Sequence, residues 1–147
     1  MGPIYGSTTN ALRITAFVYT AILFLAAATT YIPGVCDENG LAFGIFELDI
    51  YDDGLHVASA LWALAAALIS TRASRLFLIL FGAAYLLDGV FGFFTGYGFL
   101  DMGIFNYGSD GLSFTLNRVL ANLPHIALGG FALYAGLQFT GEDPEPA

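Results

Sequence analysis

The chain has 147 residues, of which 57% are hydrophobic and 11% charged, and its mean hydropathy is +0.73. A soluble domain usually carries about 25% charged residues, so a water-exposed fold of this size could not hide so much apolar surface, and lipid is its natural solvent. With no Lys, four Arg and a net charge of −8, the sequence argues against a nucleic-acid partner, which needs a basic face, and against a polybasic contact with anionic lipid.

Four apolar runs predict four transmembrane helices, at about residues 14–33, 54–70, 76–96 and 122–139. Each is close to the ~20 residues that cross a hydrocarbon core, and a helix satisfies its own backbone within a single span. The first run follows Arg13 and contains Ala26-Ala27-Ala28, which mimics a cleaved leader, but it is long for one and reads as a span. It stops at Pro33-Gly34. The loop after it holds six of the twelve carboxylates and reads first as a solvated loop, second as a divalent-cation site. Cys36 is the lone cysteine, so it forms neither an intrachain disulfide nor a thiol-rich metal site.

The second and third runs are separated by Ser70-Thr71-Arg72. Arg13, Arg72 and Arg75 share one side if both termini do, and Arg118 lies on the other. The positive-inside rule then places both termini in the cytoplasm and the loops at about 34–54 and 96–122 outside. Apolar segments in those loops, at 41–46 and 102–105, are expected at the interface, with Tyr51, Tyr97 and Tyr107 in an aromatic belt. The third and fourth runs are rich in glycine, which lets helices approach closely in lipid. A flexible acidic tail, 140–147, follows the last span.

The two halves look alike. Gly44-Ile45-Phe46 recurs as Gly103-Ile104-Phe105, Asp53-Gly54-Leu55 as Asp110-Gly111-Leu112, and the Asp53-to-His56 spacing as Asn122 to His125. An insertion of about ten residues, 113–121, separates the last two blocks. Each half is span, outer loop, span, so the fold expected is an all-α membrane bundle of two parallel two-helix repeats, related by an axis along the membrane normal.

His56 and His125 are the two histidines. Each follows an Asx residue, Asp53 or Asn122, that suits a helix N-cap, which would put both imidazoles in the first turn of their spans. Pro124 fits such a first turn. A paired imidazole site for a cofactor or metal is one reading; imidazoles that pin the loops, or that handle protons, are the others. Two His alone fall short of the three or four ligands of a zinc site, and Asp52, Asp53 or Asp110 could supply the remainder. Asp88 lies deep in the third span without an obvious basic partner there, at a cost of about 2.5–3.5 kcal/mol on insertion scales. It reads as a functional candidate, or as a protonated side chain bonded to a neighbouring helix. Arg118 is expected to pair with Asp110 or an acidic loop residue. No phosphate loop, HExxH, G-x-S-x-G or CxxC is present.

These motifs, Gly44-Ile45-Phe46, Asp53 with His56, Asn122 with His125, and Tyr85 followed by Gly89 and Gly92, resemble the bacterial four-span membrane family called domain of unknown function 4383, over roughly residues 14–139. Asp88 and the insertion depart from that pattern. The resemblance implies a four-span fold in a bacterial inner membrane and no reaction. The expectation is a non-enzymatic membrane protein surrounded by lipid, an accessory or structural subunit packing against other membrane proteins or itself. The alternative is a small carrier or a metal- or cofactor-binding protein using Asp88 or the His56/His125 pair.

Overall fold

The computed structural model describes residues 5–139, with side chains from residue 11 onward; the acidic tail lies outside the described residues. Five α-helices follow one another: α1 (Tyr5–Ala28), α2 (Ile50–Ile69), α3 (Thr71–Thr95), the short α4 (Gly103–Tyr107) and α5 (Leu116–Gln138). A 3₁₀ turn, Thr29–Tyr31, extends α1. Four segments are long and apolar enough to cross a membrane: Ala11–Tyr31, α2, α3 and α5. Large apolar side chains such as Ile14, Leu25, Leu68, Leu87 and Phe131 point outward, as a lipid-facing surface requires.

The long helices alternate in direction, and side chains cap several of their ends. A single residue, Ser70, joins α2 to α3. It ends the first helix and caps the second, its hydroxyl accepting from the Ala73 N–H at 3.0 Å. At the same end Arg13 donates to the Ala67 carbonyl at 2.7 Å, and Arg75 donates to the Gly136 carbonyl at 2.9 Å. Each guanidinium thus satisfies a carbonyl left over in the last turn of a helix packed against its own, where a cation also suits the helix dipole.

The most intimate contact is between α3 and α5. A Cβ at Gly82 would strike the Leu133 backbone N and lie 2.8 Å from the Gly129 carbonyl, while a Cβ at Gly129 would strike the Leu86 backbone N. Gly89 faces His125 and Ile126, and Gly92 carries the side chain of Asn122. The glycines foreseen as a general packing signal therefore set one crossing inside the chain. Around it lies an aromatic ladder at i, i+4 spacing on α3. Phe77 stacks on Phe81 at 5.1 Å and Phe81 lies 4.1 Å from Tyr85. Tyr19 of α1 meets Phe77 and Phe81 edge-on, and its hydroxyl donates to the Leu128 carbonyl at 2.6 Å.

Two expected caps are corrected. The N-cap of α2 is Asp49, which accepts from the N–H groups of Tyr51 and Asp52 while Asp52 returns a bond to the Asp49 N–H. Asp53 is instead buried in the first turn, accepting from the Thr30 hydroxyl at 3.4 Å. The N-cap of α5 is Thr115, so residues read as an insertion add more than a turn of helix. Asn122 is buried well inside α5, donating to the Arg118 carbonyl, and Pro124 is an interior proline. Asn117 and Arg118 interrupt the apolar run, which is why the run alone starts too late.

One comparison isolates the α3–α5 crossing. Gly82→Ala is expected to lower stability in detergent by about 1–3 kcal/mol through overpacking against backbone. Gly130→Ala, whose Cβ would meet nothing within 4 Å, should be neutral or gain up to about 1 kcal/mol from helix propensity. Thermal unfolding of the two variants checks this, and an equal response would show that the crossing is not tight.

Candidate functional site

Above the aromatic ladder, at the end opposite Arg13 and Arg75, the helices part around a cavity of about 480 Å³. Its walls come from α1, α2, α3 and α5, and the loops that follow α1 and α3 form its rim. His56, Tyr85, Asp88 and His125 all line it. Both imidazoles contact Tyr85, with ring centroids 6.5 Å and 4.9 Å from the phenol ring. Helix extents explain the placement: α2 and α5 begin several residues before their histidines, which puts each imidazole beyond the first turn and inside the bundle.

Asp88 is 1% exposed. It has a basic partner after all: its Oδ2 lies 2.8 Å from His125 Nδ1. Its Oδ1 accepts from the backbone N–H groups of Phe99 and Leu100, at 2.7 and 2.9 Å. Two backbone N–H donors and an imidazole nitrogen converge on this side chain, a setting that suits an ionised carboxylate better than the protonated acid expected in apolar surroundings. A carboxylate is acceptor-only, so the proton in the bond to His125 belongs to Nδ1. The bond through Nδ1 orients the His125 ring and leaves Nε2 outside the pair, as carboxylate partners of functional histidines do elsewhere. The loop that supplies the two N–H groups can close over Asp88 because residue 98 is glycine. A Cβ there would stand 2.7 Å from Oδ2 and 2.9 Å from Oδ1. Nothing in the sequence singles out Gly98, since its role depends on a side chain ten residues away.

His56 is 8% exposed and differs from its counterpart. Its Nδ1 leans toward the Asp52 carbonyl without reaching hydrogen-bonding geometry, and no carboxylate holds the ring. The hydroxyl of Tyr85, beside Ser59, likewise lacks a well-formed bond.

The mouth is acidic. Glu47, Asp49, Asp52, Asp101 and Asp110 line the cavity with Asp88, and Arg118 is the one guanidinium there. Arg118 pairs with Asp110 at 3.6 Å, as the sequence suggested, and donates to the Gly111 carbonyl. The Tyr107 hydroxyl donates to Asp49 at 3.2 Å; that bond and the carboxylate charge hold its phenol above the usual range. Tyr97, packed 5.2 Å from Tyr107, is also raised, by burial and by Asp110. Asp53 and Asn122 do not line a common site with the histidines in the same way: Asp53 serves the α1–α2 contact and Asn122, at the cavity wall, fills the space over Gly92. Among the described residues no group of three or more His, Cys, Asp and Glu is placed to hold a metal ion.

Two substitutions at Asp88 should separate charge from shape. Asp88→Ala leaves two N–H groups and an imidazole unsatisfied and is expected to cost about 3–5 kcal/mol. Asp88→Asn can keep the two N–H bonds on its oxygen, but its amide must then donate to Nδ1, so His125 switches to the Nε2–H tautomer. Imidazole ¹⁵N chemical shifts check this; an unchanged tautomer would mean that Asp88 does not orient His125.

Comparison of the chain with protein-family models, with curated proteins and with solved structures found no match.

Proposed function

We propose that this chain is a non-enzymatic integral membrane protein that binds a small ligand in the cavity between its helices, as a carrier or receptor. The carrying observation is the pair of imidazoles on one cavity, His125 oriented by buried Asp88 and His56 left without a partner. Structure alone does not need either. A lipid-exposed bundle is held by apolar and small-residue packing, and polar groups at depth are costly enough to mark function by default. The cavity also falls in the size range of small-molecule sites, about 300–1,000 Å³.

The two-repeat reading fits this proposal, and several correspondences support it. Arg13 and Arg75 cap the ends of α2 and α5 in the same way. Phe43 and Met102, each just before the repeated glycine, are the two non-glycine residues with positive φ among those described, at 55° and 66°. Asp53 meets Thr30 where Asn122 meets Gly92. In the same register Ala26 stands where the second half has Asp88, which gives His56 no carboxylate. The proposed orientation puts Arg13, Arg72 and Arg75 in the cytoplasm of a bacterial cell, both termini with them, and opens the cavity outward. Likeness to domain of unknown function 4383 remains part of this proposal and adds no activity.

A subunit that docks on other membrane proteins is the second reading. It draws on the outward apolar faces of α1 and α3, which lipid covers equally well.

Native mass spectrometry of the protein released from its own membranes in mild detergent tests the choice. The expected result is one chain, or a small homo-oligomer, carrying an extra ligand mass that is lost in His56→Ala and His125→Ala. A stable mass containing other subunits and no ligand would overturn the binding role in favour of the accessory one.

A further inference from the structure

We infer that the ligand is an uncharged, membrane-dissolved amphiphile with a hydroxyl head, which enters from the lipid between α1 and α5 and donates its O–H to His125. The inference rests on the ligand cavity proposed above and names its route and its chemistry.

Helix packing gives the route. α1 packs along α2, α2 meets α3, and α3 packs along α5, with α1 and α3 touching across the bundle. Between α1 and α5 there is no extended packing. Among the described residues the bundle is thus closed on three sides and open on the fourth. Tyr19 bridges that side from α1, its hydroxyl reaching the Leu128 carbonyl. From this bridge to the cavity end, Ile22, Ala26 and Thr29 of α1 and Ala121, Pro124 and Leu128 of α5 all line the cavity, yet none of them is buried. Most of these side chains are short, so the flank stays open. Both helices are long and apolar enough to be spans, and what lies against a gap between spans is lipid. Asp88 is seven residues from the end of α3, which sets its pair with His125 about 10 Å down the helix from that end.

His125 selects the head. Its Nδ1 is spent on Asp88, which is 1% exposed, while the imidazole keeps 18% of its own surface. The open edge is therefore the one turned away from Asp88, and that edge carries Nε2. With the proton on Nδ1, Nε2 is an acceptor, and an alcohol or phenol supplies the donor it takes. An ether or a ketone has no proton to give. Charge narrows the class further. Six carboxylates and one guanidinium line the cavity, and Arg118 is already bonded to Asp110 and to the Gly111 carbonyl. An anionic head is repelled by that field, and a cationic one is drawn to the acidic mouth rather than to the gap. The body of an uncharged ligand rests on Leu23, Ala26 and Leu128, and its tail leaves through the gap.

Native mass spectrometry of the full chain, ejected from lipid nanodiscs that carry the probe among their lipids, tests this with four probes of one body. The phenol, para-octylphenol, is expected to bind at least about tenfold more tightly than para-octylanisole, which lacks the O–H, than anionic para-octylbenzoate, and than cationic para-octylbenzylamine. These ratios need no variant. His125→Ala should weaken the phenol at least about tenfold and bring it level with the anisole. Ala121→Trp, which fills the gap, should weaken it at least about tenfold as well. Ala121 is exposed, so there is room for the bulk; if that variant nevertheless fails to fold, Ala26→Phe replaces it, with the same expectation. The anisole binding as well as the phenol overturns the bond to His125. The benzoate or the benzylamine doing so overturns the uncharged class. Full affinity in a folded gap variant, or tail-less phenol binding as well as para-octylphenol, overturns the route through lipid. If no probe binds but the extracted protein carries a ligand mass, the hydroxyl amphiphile is wrong and the cavity proposal stands; if neither is seen, both fall.

Discussion

Asp88 places a carboxylate inside an apolar bundle, where a polar group without a partner is expensive and a charge more so. Two backbone N–H groups and an imidazole from two other segments are spent on it. Much of the cavity end of the molecule follows from that requirement. The chain after α3 must fold back to bring the Phe99 and Leu100 N–H groups to Oδ1, and Gly98 is what lets it come that close. Phe99 then packs on Phe91 at 5.6 Å, and Leu100 rests against the core, so the loop becomes a lid held by its backbone. His125 must present Nδ1 to Oδ2, which decides where its other nitrogen is free. The glycine crossing serves the same end, since Gly89 lets α5 approach α3 at the level of His125.

The asymmetry between the two histidines has a plain cause on the two-repeat reading. Equivalent positions on α1 and α3 hold Ala26 and Asp88, and a methyl group cannot orient an imidazole. A duplicated hairpin would begin with like sites, and one substitution makes one imidazole rigid and leaves the other adaptable. A binding cavity gains from both. A fixed group sets the position of a ligand, and a ring that no carboxylate holds can adjust to it.

The spans were legible because lipid imposes one rule on every helix: about twenty apolar residues in a row. The boundaries were less so. Thr115 caps a helix whose first turn contains Asn117 and Arg118, polar residues that hydropathy excludes and that stand at the acidic mouth instead. Asp53 and Asn122 have the composition of N-caps, yet the capping box at Asp49 and Asp52 and the hydroxyl of Thr115 take that role. Of the site, the two histidines and Asp88 stood out as polar groups among apolar ones. Their pairing did not, because the Asp88–His125 bond spans 37 residues and depends on the register of α3 against α5. Asp52 stood with Asp53 and Asp110 as a possible partner of the histidines, and of the three it is the one that lines the cavity one helical turn before His56 on α2.

The glycine faces bear on whether the chain works alone. Small residues on a span commonly mark where another helix docks, and that other helix could belong to a partner. Here Gly82, Gly89, Gly92, Gly129 and Gly136 are all consumed by contacts between α3 and α5. The outward faces carry long apolar side chains such as Leu25, Leu61, Leu80 and Leu137, whose bulk holds a neighbouring backbone away. Flexible lipid tails cover such a surface well. The chain's close packing is thus directed inward, around the aromatic ladder and up to the cavity, and His56, Asp88 and Asn122 are buried with it. Small residues that build one interior, with two histidines on the cavity at its end, are what the proposed binding role requires and what a docking subunit would not need.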